Sequence, residues 1–222
     1  MTSRKSEFKL TDRGFKETIL LIPGWATDHR IFDTLDLDFN YLLPVQLSPD
    51  DFESALGQTL NKMALDKISI LGWSLGGYLA ADFASNYAER VKDITFVGMR
   101  RKYDRQGLEN VKIFIRRNKV AYLHKFYNEC FTDEEIKKRY MESRGLDELI
   151  EGLNYLGRAE LDSAKLKNIA VRFIHGGCDK IAPIEGLNEL KDDFSAAEFI
   201  IVPCALHAPF LRNDFRDVFY GK

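Results

Sequence analysis

Five short stretches of the chain are continuously apolar and rich in Ile, Val and Phe: ETILLIPG at 17–24, KISILGW at 67–73, DITFVGM at 93–99, VRFIHGG at 171–177 and EFIIVP at 198–203. Unbroken apolar runs of this length predict strands buried on both faces of a parallel sheet. Between them the apolar period changes. Leu75, Leu79 and Phe83 recur every fourth residue ahead of a helix stop at Arg90, and Phe52, Leu56 and Leu60 recur in the same way. That spacing puts them on one stripe of a helix. Strands alternating with helices predict a doubly wound α/β sheet, mostly parallel and covered on both faces. NYLLPVQL at 40–47 predicts a further strand interrupted by Pro44, and EFKL at 7–10 an edge strand.

The alternation stops between Arg100 and Lys167, where GLENVKIFIRRNKVAYLHKFY and TDEEIKKRYMESRGLDELIEGLNYL carry helical patterns without a strand. We therefore expect an α/β core formed by residues 1–99 and 168–222, with a helical insertion at 100–167. The Thr-Asp-Glu-Glu opening at Thr132 predicts a capped helix start, with acids in the first turn where the helix dipole favours them.

Composition narrows the function classes. A length of 222 residues suits one domain with a well-buried core. Net charge is −2 at 45% hydrophobic content, so no global basic bias favours nucleic acid or a membrane surface. No apolar run approaches the roughly 18 residues that a membrane span needs. The opening stretch, MTSRKSEFKLTDRGFKE, is polar and lacks the apolar centre of a signal peptide, so a cytoplasmic protein is expected. Cys130, Cys178 and Cys204 are an odd number without a C-x-x-C pair. That argues against a disulfide framework or a zinc site and predicts buried free thiols.

The chemistry starts at LGWSLGG, 71–77, a G-x-S-x-G sequence between an apolar run and a helical one. A sharp strand-to-helix turn holds such a serine hydroxyl above the sheet, and glycines around it leave room for the crossing backbone. A helix-capping serine is the plainer alternative, but capping explains neither the paired glycines nor Gly77. A serine hydroxyl needs a base, normally a histidine oriented by a carboxylate. His29 and His124 lie in polar segments and are expected to be solvated, whereas His175 and His207 follow strands and lie at the carboxyl edge of the sheet. The order Ser, acid, His that accompanies this elbow selects His207 as base and Asp179, in HGGCDKIAP, as acid. His175 is expected to be a strand-end residue, and Asp192 and Asp193 to belong to a charged helix. Two backbone donors are required for an oxyanion, one from the residue after the serine, Leu75, and one from the early loop at Trp25 in LLIPGWATDHRIF.

Taken together, Ser74, Asp179, His207, the elbow and the Gly-Trp loop resemble the α/β-hydrolase superfamily over nearly the whole chain. Within it, LGWSLGG, PGWATDHRIFDTL, YAERV and HAPFL are most similar to the biotin-pathway esterases that hydrolyse the methyl ester of pimeloyl-acyl carrier protein. The resemblance implies the α/β-hydrolase fold, a helical lid at 100–167, a Ser74–Asp179–His207 triad without metal or organic cofactor, and Trp25 and Leu75 as oxyanion donors. It also implies an acyl carrier protein as partner. Two departures are visible: Pro23-Gly24 stands where many members have His-Gly, and SPDDFESALGQTLNKMALDK lacks the usual Gly-rich turn. A small free ester or thioester is the alternative substrate, and a non-catalytic hydrolase-like binding protein the alternative of another class.

Residues 100–125 hold nine Lys or Arg against two acids, a net of +7 that falls to +3 over 100–165. The block includes Arg116, Arg117 and Lys119 and runs beside an apolar stripe of Val111, Ile113, Phe114 and Ile115. Such a helix suits docking of an acidic protein or steering of an anionic substrate, and equally an ordinary solvated face. Phe126 and Tyr127 are candidates for the lining of an acyl channel.

Overall fold

The structure, a computed structural model, describes residues 5–143 and 145–222, with the backbone alone at 142 and 143. The first four residues of the polar opening stretch, and Arg144 within the helical insertion, lie outside the described residues. The strands are β1 (Glu7–Thr11), β2 (Thr18–Ile22), β3 (Asn40–Gln46), β4 (Ile68–Trp73), β5 (Val91–Val97), β6 (Ala170–Gly176) and β7 (Glu198–Val202). They form one sheet in the order β1-β3-β2-β4-β5-β6-β7. Every pairing is parallel except β1 with β3.

Strands β2 and β4 are buried at every residue, as their unbroken apolar runs require. The chain runs from β2 to its neighbour β3 on one side, then crosses back to β4 on the other. The loops leaving β2 and β4 therefore flank a topological switch point, where open parallel sheets form their ligand crevice.

Helices α1 (Phe52–Lys62), α2 (Leu75–Asn86), α7 (Ile184–Asp193) and α8 (Phe215–Tyr220) cover the sheet. Successive strand residues face opposite sides, and β6 shows both layers. Phe173 stacks on Phe96 and Phe199 and meets Phe194 at the end of α7, while Arg172 lies over Phe219 of α8. Helix α2 ends at Asn86, and a separate 3₁₀ turn, Ala88–Arg90, leads into β5.

The interruption predicted at Pro44 is absent, because β3 runs straight through it. Its parallel ladder with β2 stops at Leu42, so the missing N–H of Pro44 lies beyond that ladder, and the β1 side absorbs it with a register shift at Glu7/Phe8. The edge strand β1 stands where EFKL predicts one.

Between β5 and β6 lie α3 (Arg105–Arg117), α4 (Lys119–Cys130), α5 (Glu134–Ser143) and α6 (Leu146–Leu156). The acid-rich start of α5 is capped one residue later than predicted: Asp133, rather than Thr132, accepts the N–H of Ile136 at 2.9 Å. Hydrogen bonds tie the segment to separate parts of the core. Trp25 Nε1 donates to Leu149 O at 2.9 Å, Tyr127 Oη to Ala26 O at 2.7 Å and Tyr155 Oη to Asp82 Oδ2 at 2.7 Å. No described helix is long and apolar enough to cross a membrane.

Candidate active site

Ser74 occupies the one-residue turn between β4 and α2, at φ 52° and ψ −116°. A non-glycine residue seldom adopts positive φ, and the strain is sustained only where the surroundings over-determine it. Here they do. The N–H of Ser74 donates to Val97 O of β5 at 2.9 Å, and a Cβ on Gly76 would sit 2.3 Å from Ile22 O. One on Gly72 would meet the backbone of Gly76 and Gly77 at 2.7 Å. The glycines are thus there for close approach of strand, turn and helix, which a capping role for Ser74 does not demand; its side chain makes no capping hydrogen bond.

Asp179 follows β6 and His207 follows β7. His207 Nδ1 donates to Asp179 Oδ2 at 2.7 Å, and both side chains are buried. The other carboxylate oxygen accepts the N–H groups of Ile181 and Ala182 at 2.8 and 2.9 Å. Burial raises the Asp179 carboxyl, but the His207 charge and hydrogen bond, with the Ala182 N–H, outweigh it and hold the group below the ordinary carboxylate range. Nδ1 of His207 is taken by the carboxylate, and its Nε2 is buried without a partner among the described residues. Trp73, next to the serine, donates Nε1–H to His207 O at 2.8 Å, tying the histidine loop to the elbow. Ser74 Oγ is not hydrogen-bonded to His207; its neighbour is Tyr103 Oη at 3.4 Å.

The serine opens into a cavity of about 280 Å³ between core and insertion. Leu108 and Val111 of α3, Tyr122 and Phe126 of α4, and Leu153 and Leu156 of α6 give it apolar walls. Phe126 packs edge-on against Trp25, with centroids 4.8 Å apart. Trp25 lines this cavity and also, with Leu75, a neighbouring one of about 230 Å³. Among the described residues the backbone N–H groups of Trp25 and Leu75 meet no acceptor, and Leu75 opens α2 where the helix dipole favours negative charge. Gly152 of α6 packs on the side chains of both residues: a Cβ there would fall 2.6 Å from the Trp25 ring and 3.4 Å from the Leu75 side chain.

Residues 47–151 match the sequence family described as alpha/beta hydrolase fold. An esterase from Exiguobacterium antarcticum superposes with a TM-score of 0.83 at 14% identity, covering 97% of this chain and 95% of that one. A bromoperoxidase from Bacillus anthracis gives 0.81 at 17% identity, over 96% and 93%. The chain has the α/β-hydrolase fold. A pimeloyl-[acyl-carrier protein] methyl ester esterase of Wigglesworthia glossinidia brevipalpis is 28% identical over 171 residues, 67% of this chain. The match spans 66% of that protein, just under two thirds of its length.

Within this α/β-hydrolase fold the remaining candidates separate. His175 is fully buried on β6; its Nε2 bonds Ala182 O at 2.7 Å and lies 3.8 Å from Asp179 Oδ2, and burial lowers its basicity. His124 is exposed beside Asn128, but His29 is only half-exposed, with a buried Nδ1. Asp193 pairs with Arg101 at 2.9 Å, as expected of a charged helix. Tyr127 anchors the insertion to Ala26 and is fully buried, which takes it out of the cavity wall. The expectation of three buried thiols holds for Cys130 alone: Cys178 and Cys204 are exposed, because each sits in the turn just past a strand end. The predicted apolar stripe also splits. Ile115 is buried, whereas Ile113 and Phe114 are 46% and 57% exposed, beside the exposed Arg116 and Arg117 and half-exposed Lys119.

Tyr103 was not anticipated. It belongs to no motif and reaches Ser74 because the Lys102–Glu160 bridge closes the base of the insertion beside it. Burial pushes its phenol up to about 12, so it is a neutral donor and acceptor at the serine.

Proposed function

We propose that the chain is a serine carboxylesterase in which Ser74 is the nucleophile, His207 the base and Asp179 the group that orients it. The observation that carries this reading is the buried 2.7 Å Asp179–His207 hydrogen bond, which leaves Nε2 unpartnered, at the loop tied to the strained Ser74 elbow. His207 Nε2 takes the Ser74 proton as Oγ attacks the ester carbonyl. The N–H groups of Leu75 and Trp25 hold the oxyanion. Collapse expels the alcohol, which receives the proton from His207, and water activated by the same nitrogen releases the acid from the acyl-enzyme. Asp179 stabilises the imidazolium throughout. The chemistry calls for no metal or organic cofactor.

Ser74→Ala tests the mechanism: hydrolysis of p-nitrophenyl butyrate should fall by at least about 1,000-fold, and retention of the wild-type rate would sink it. Covalent labelling by a fluorophosphonate separates this reading from a non-catalytic binding protein, which would leave Ser74 unreacted.

The finer proposal is a methyl ester of pimeloyl-acyl carrier protein as substrate, in biotin synthesis. The 28% identity to the Wigglesworthia protein supports it, as does the exposed basic and apolar face of Arg116, Arg117, Ile113 and Phe114, with half-exposed Lys119 beside it. Lys119 opens α4 directly beyond the Arg116–Arg117 end of α3. A cytoplasmic location belongs to the same proposal, since free Cys178 and Cys204 suit a reducing compartment. Faster hydrolysis of the carrier-linked ester than of the free methyl ester is the expected result; equal rates would favour a small-ester or thioester hydrolase.

A further inference from the structure

The cations around the cavity are not equivalent. Arg101 is paired with Glu160 at 3.1 Å and Asp193 at 2.9 Å, and Lys102 with Glu160 at 3.7 Å. Arg100, their neighbour in sequence, faces the cavity of Ser74 and has no acidic partner among the described residues. Lys180, beside the triad acid, is in the same position. The one carboxylate in that lining, Asp104, is committed to the N–H of Gly107 at 2.6 Å, where it caps α3.

The Arg100 guanidinium is oriented by its surroundings, and Lys180 by the turn its backbone belongs to. Tyr78 Oη donates to the carbonyl of Arg100 at 2.7 Å, and the Arg100 guanidinium lies 5.2 Å from the centroid of the Tyr103 ring, whose hydroxyl touches Ser74. Stacking of this kind orients a guanidinium while leaving its N–H edge open. Lys180 leaves the turn in which Asp179 binds the N–H groups of Ile181 and Ala182. The cavity lining is therefore largely apolar and carries two cations, neither of them ion-paired among the described residues, against the single carboxylate of Asp104. A neutral ester gains nothing from them, whereas an ester bearing a negative group finds donors already in position.

We propose that Arg100 and Lys180 form an anion-binding rim on the cavity of Ser74, so that an ester carrying a carboxylate, phosphate or sulfate near the scissile bond is hydrolysed faster than its neutral counterpart. This rests on the reading of Ser74 as an esterase nucleophile. It is independent of the outer face at Arg116 and Arg117.

The test compares p-nitrophenyl butyrate with p-nitrophenyl hydrogen glutarate, which adds a terminal carboxylate to the acyl chain. A second pair, phenyl butyrate and 4-carboxyphenyl butyrate, places the carboxylate on the alcohol side. For wild-type protein, kcat/KM should favour the charged member of at least one pair. That ratio should fall about tenfold in Arg100→Gln and in Lys180→Gln, further in the double variant, and recover in part in Arg100→Lys. It should also shrink in high salt, which screens a rim charge. A wild-type preference for the neutral member in both pairs would overturn the rim while leaving the esterase reading intact. So would a ratio unmoved in the double variant. Hydrolysis of no ester, with Ser74 inert to a fluorophosphonate, would overturn both.

Discussion

At the scale of single residues, two buried histidines four and twenty-eight positions from Asp179 are put to different uses by their surroundings. His207 gives Asp179 one nitrogen and keeps the other open, while His175 is enclosed, with one nitrogen on a carbonyl. Burial lowers the basicity of His175, against the pull of Asp179 3.8 Å away. Its sign follows: as pH falls below about 6.5 the unfolded chain takes up a proton at this site that the folded chain refuses, so stability drops. The melting temperature should decline between pH 7 and 5, and His175→Gln should flatten that slope; an equal slope in both proteins would show that other groups set it. Tyr103 calls for a different measurement. Its phenol is the described partner of Ser74 Oγ, at a length where a hydrogen bond is weak, so Tyr103→Phe frees the serine to turn toward His207. Fluorophosphonate labelling should accelerate by roughly two- to fivefold, and slower labelling would mean that Tyr103 assists the serine. The contrast between these residues explains what was legible. The proposed triad of Ser74, Asp179 and His207 stood out in the sequence because an elbow serine, a base and an orienting acid constrain residue type, order and place after a strand, and the structure brings Asp179 and His207 into contact. Nothing of that kind constrains Tyr103 or Arg100, which face the serine only through the way the insertion closes.

At the scale of elements, the strands were legible because full burial on two faces demands unbroken apolar runs, and β2 and β4 have them. Boundaries were less so. Strand β5 starts at Val91, two residues before the predicted run, because its pairing with β4 resumes at Ile68 and Val91 beyond a register shift at the exposed Lys92, which apolarity does not mark. Pro44 misled for a related reason: whether a missing N–H matters depends on which neighbour needs it. The elbow glycines show the same dependence on context and allow a paired test. Gly76→Ala would press a methyl group to 2.3 Å from Ile22 O, a backbone atom in the centre of the sheet that has nowhere to move. We expect a loss of about 3 kcal/mol and a melting temperature lower by on the order of 10 °C. Gly57→Ala, in α1, meets only the Tyr87 ring at 3.8 Å and relieves a helix of its glycine. That variant should gain about 0.5–1 kcal/mol. Thermal and urea unfolding of the two variants decide the matter, and equal effects would refute the packing account of the elbow.

At the scale of the whole molecule, the helical insertion both walls the cavity and carries the basic block, and its two faces differ in chemistry. Inside, α3, α4 and α6 turn apolar side chains toward Ser74. Outside, α3 ends in exposed Arg116 and Arg117 next to Phe114, while Lys112 within the same block is buried and paired with Glu109 at 2.6 Å. Arg101 and Lys102 pair with Glu160 and Asp193, which lie outside 100–125, so the net +7 read from that block is larger than the charge a partner would meet. What remains is concentrated at one helix end, where association with an acidic protein would gain chiefly in rate and would weaken with salt. Reversing the charges in Arg116→Glu with Arg117→Glu moves the local charge by four units without touching the cavity wall. For a carrier-linked ester, kcat/KM should fall by about tenfold or more at low ionic strength, and its decline with added salt should flatten or invert. Hydrolysis of p-nitrophenyl butyrate, whose route to Ser74 involves no protein docking, should be little changed. An equal loss on both substrates would trace the effect to a disturbed insertion, and no loss on either would return this face to the solvent.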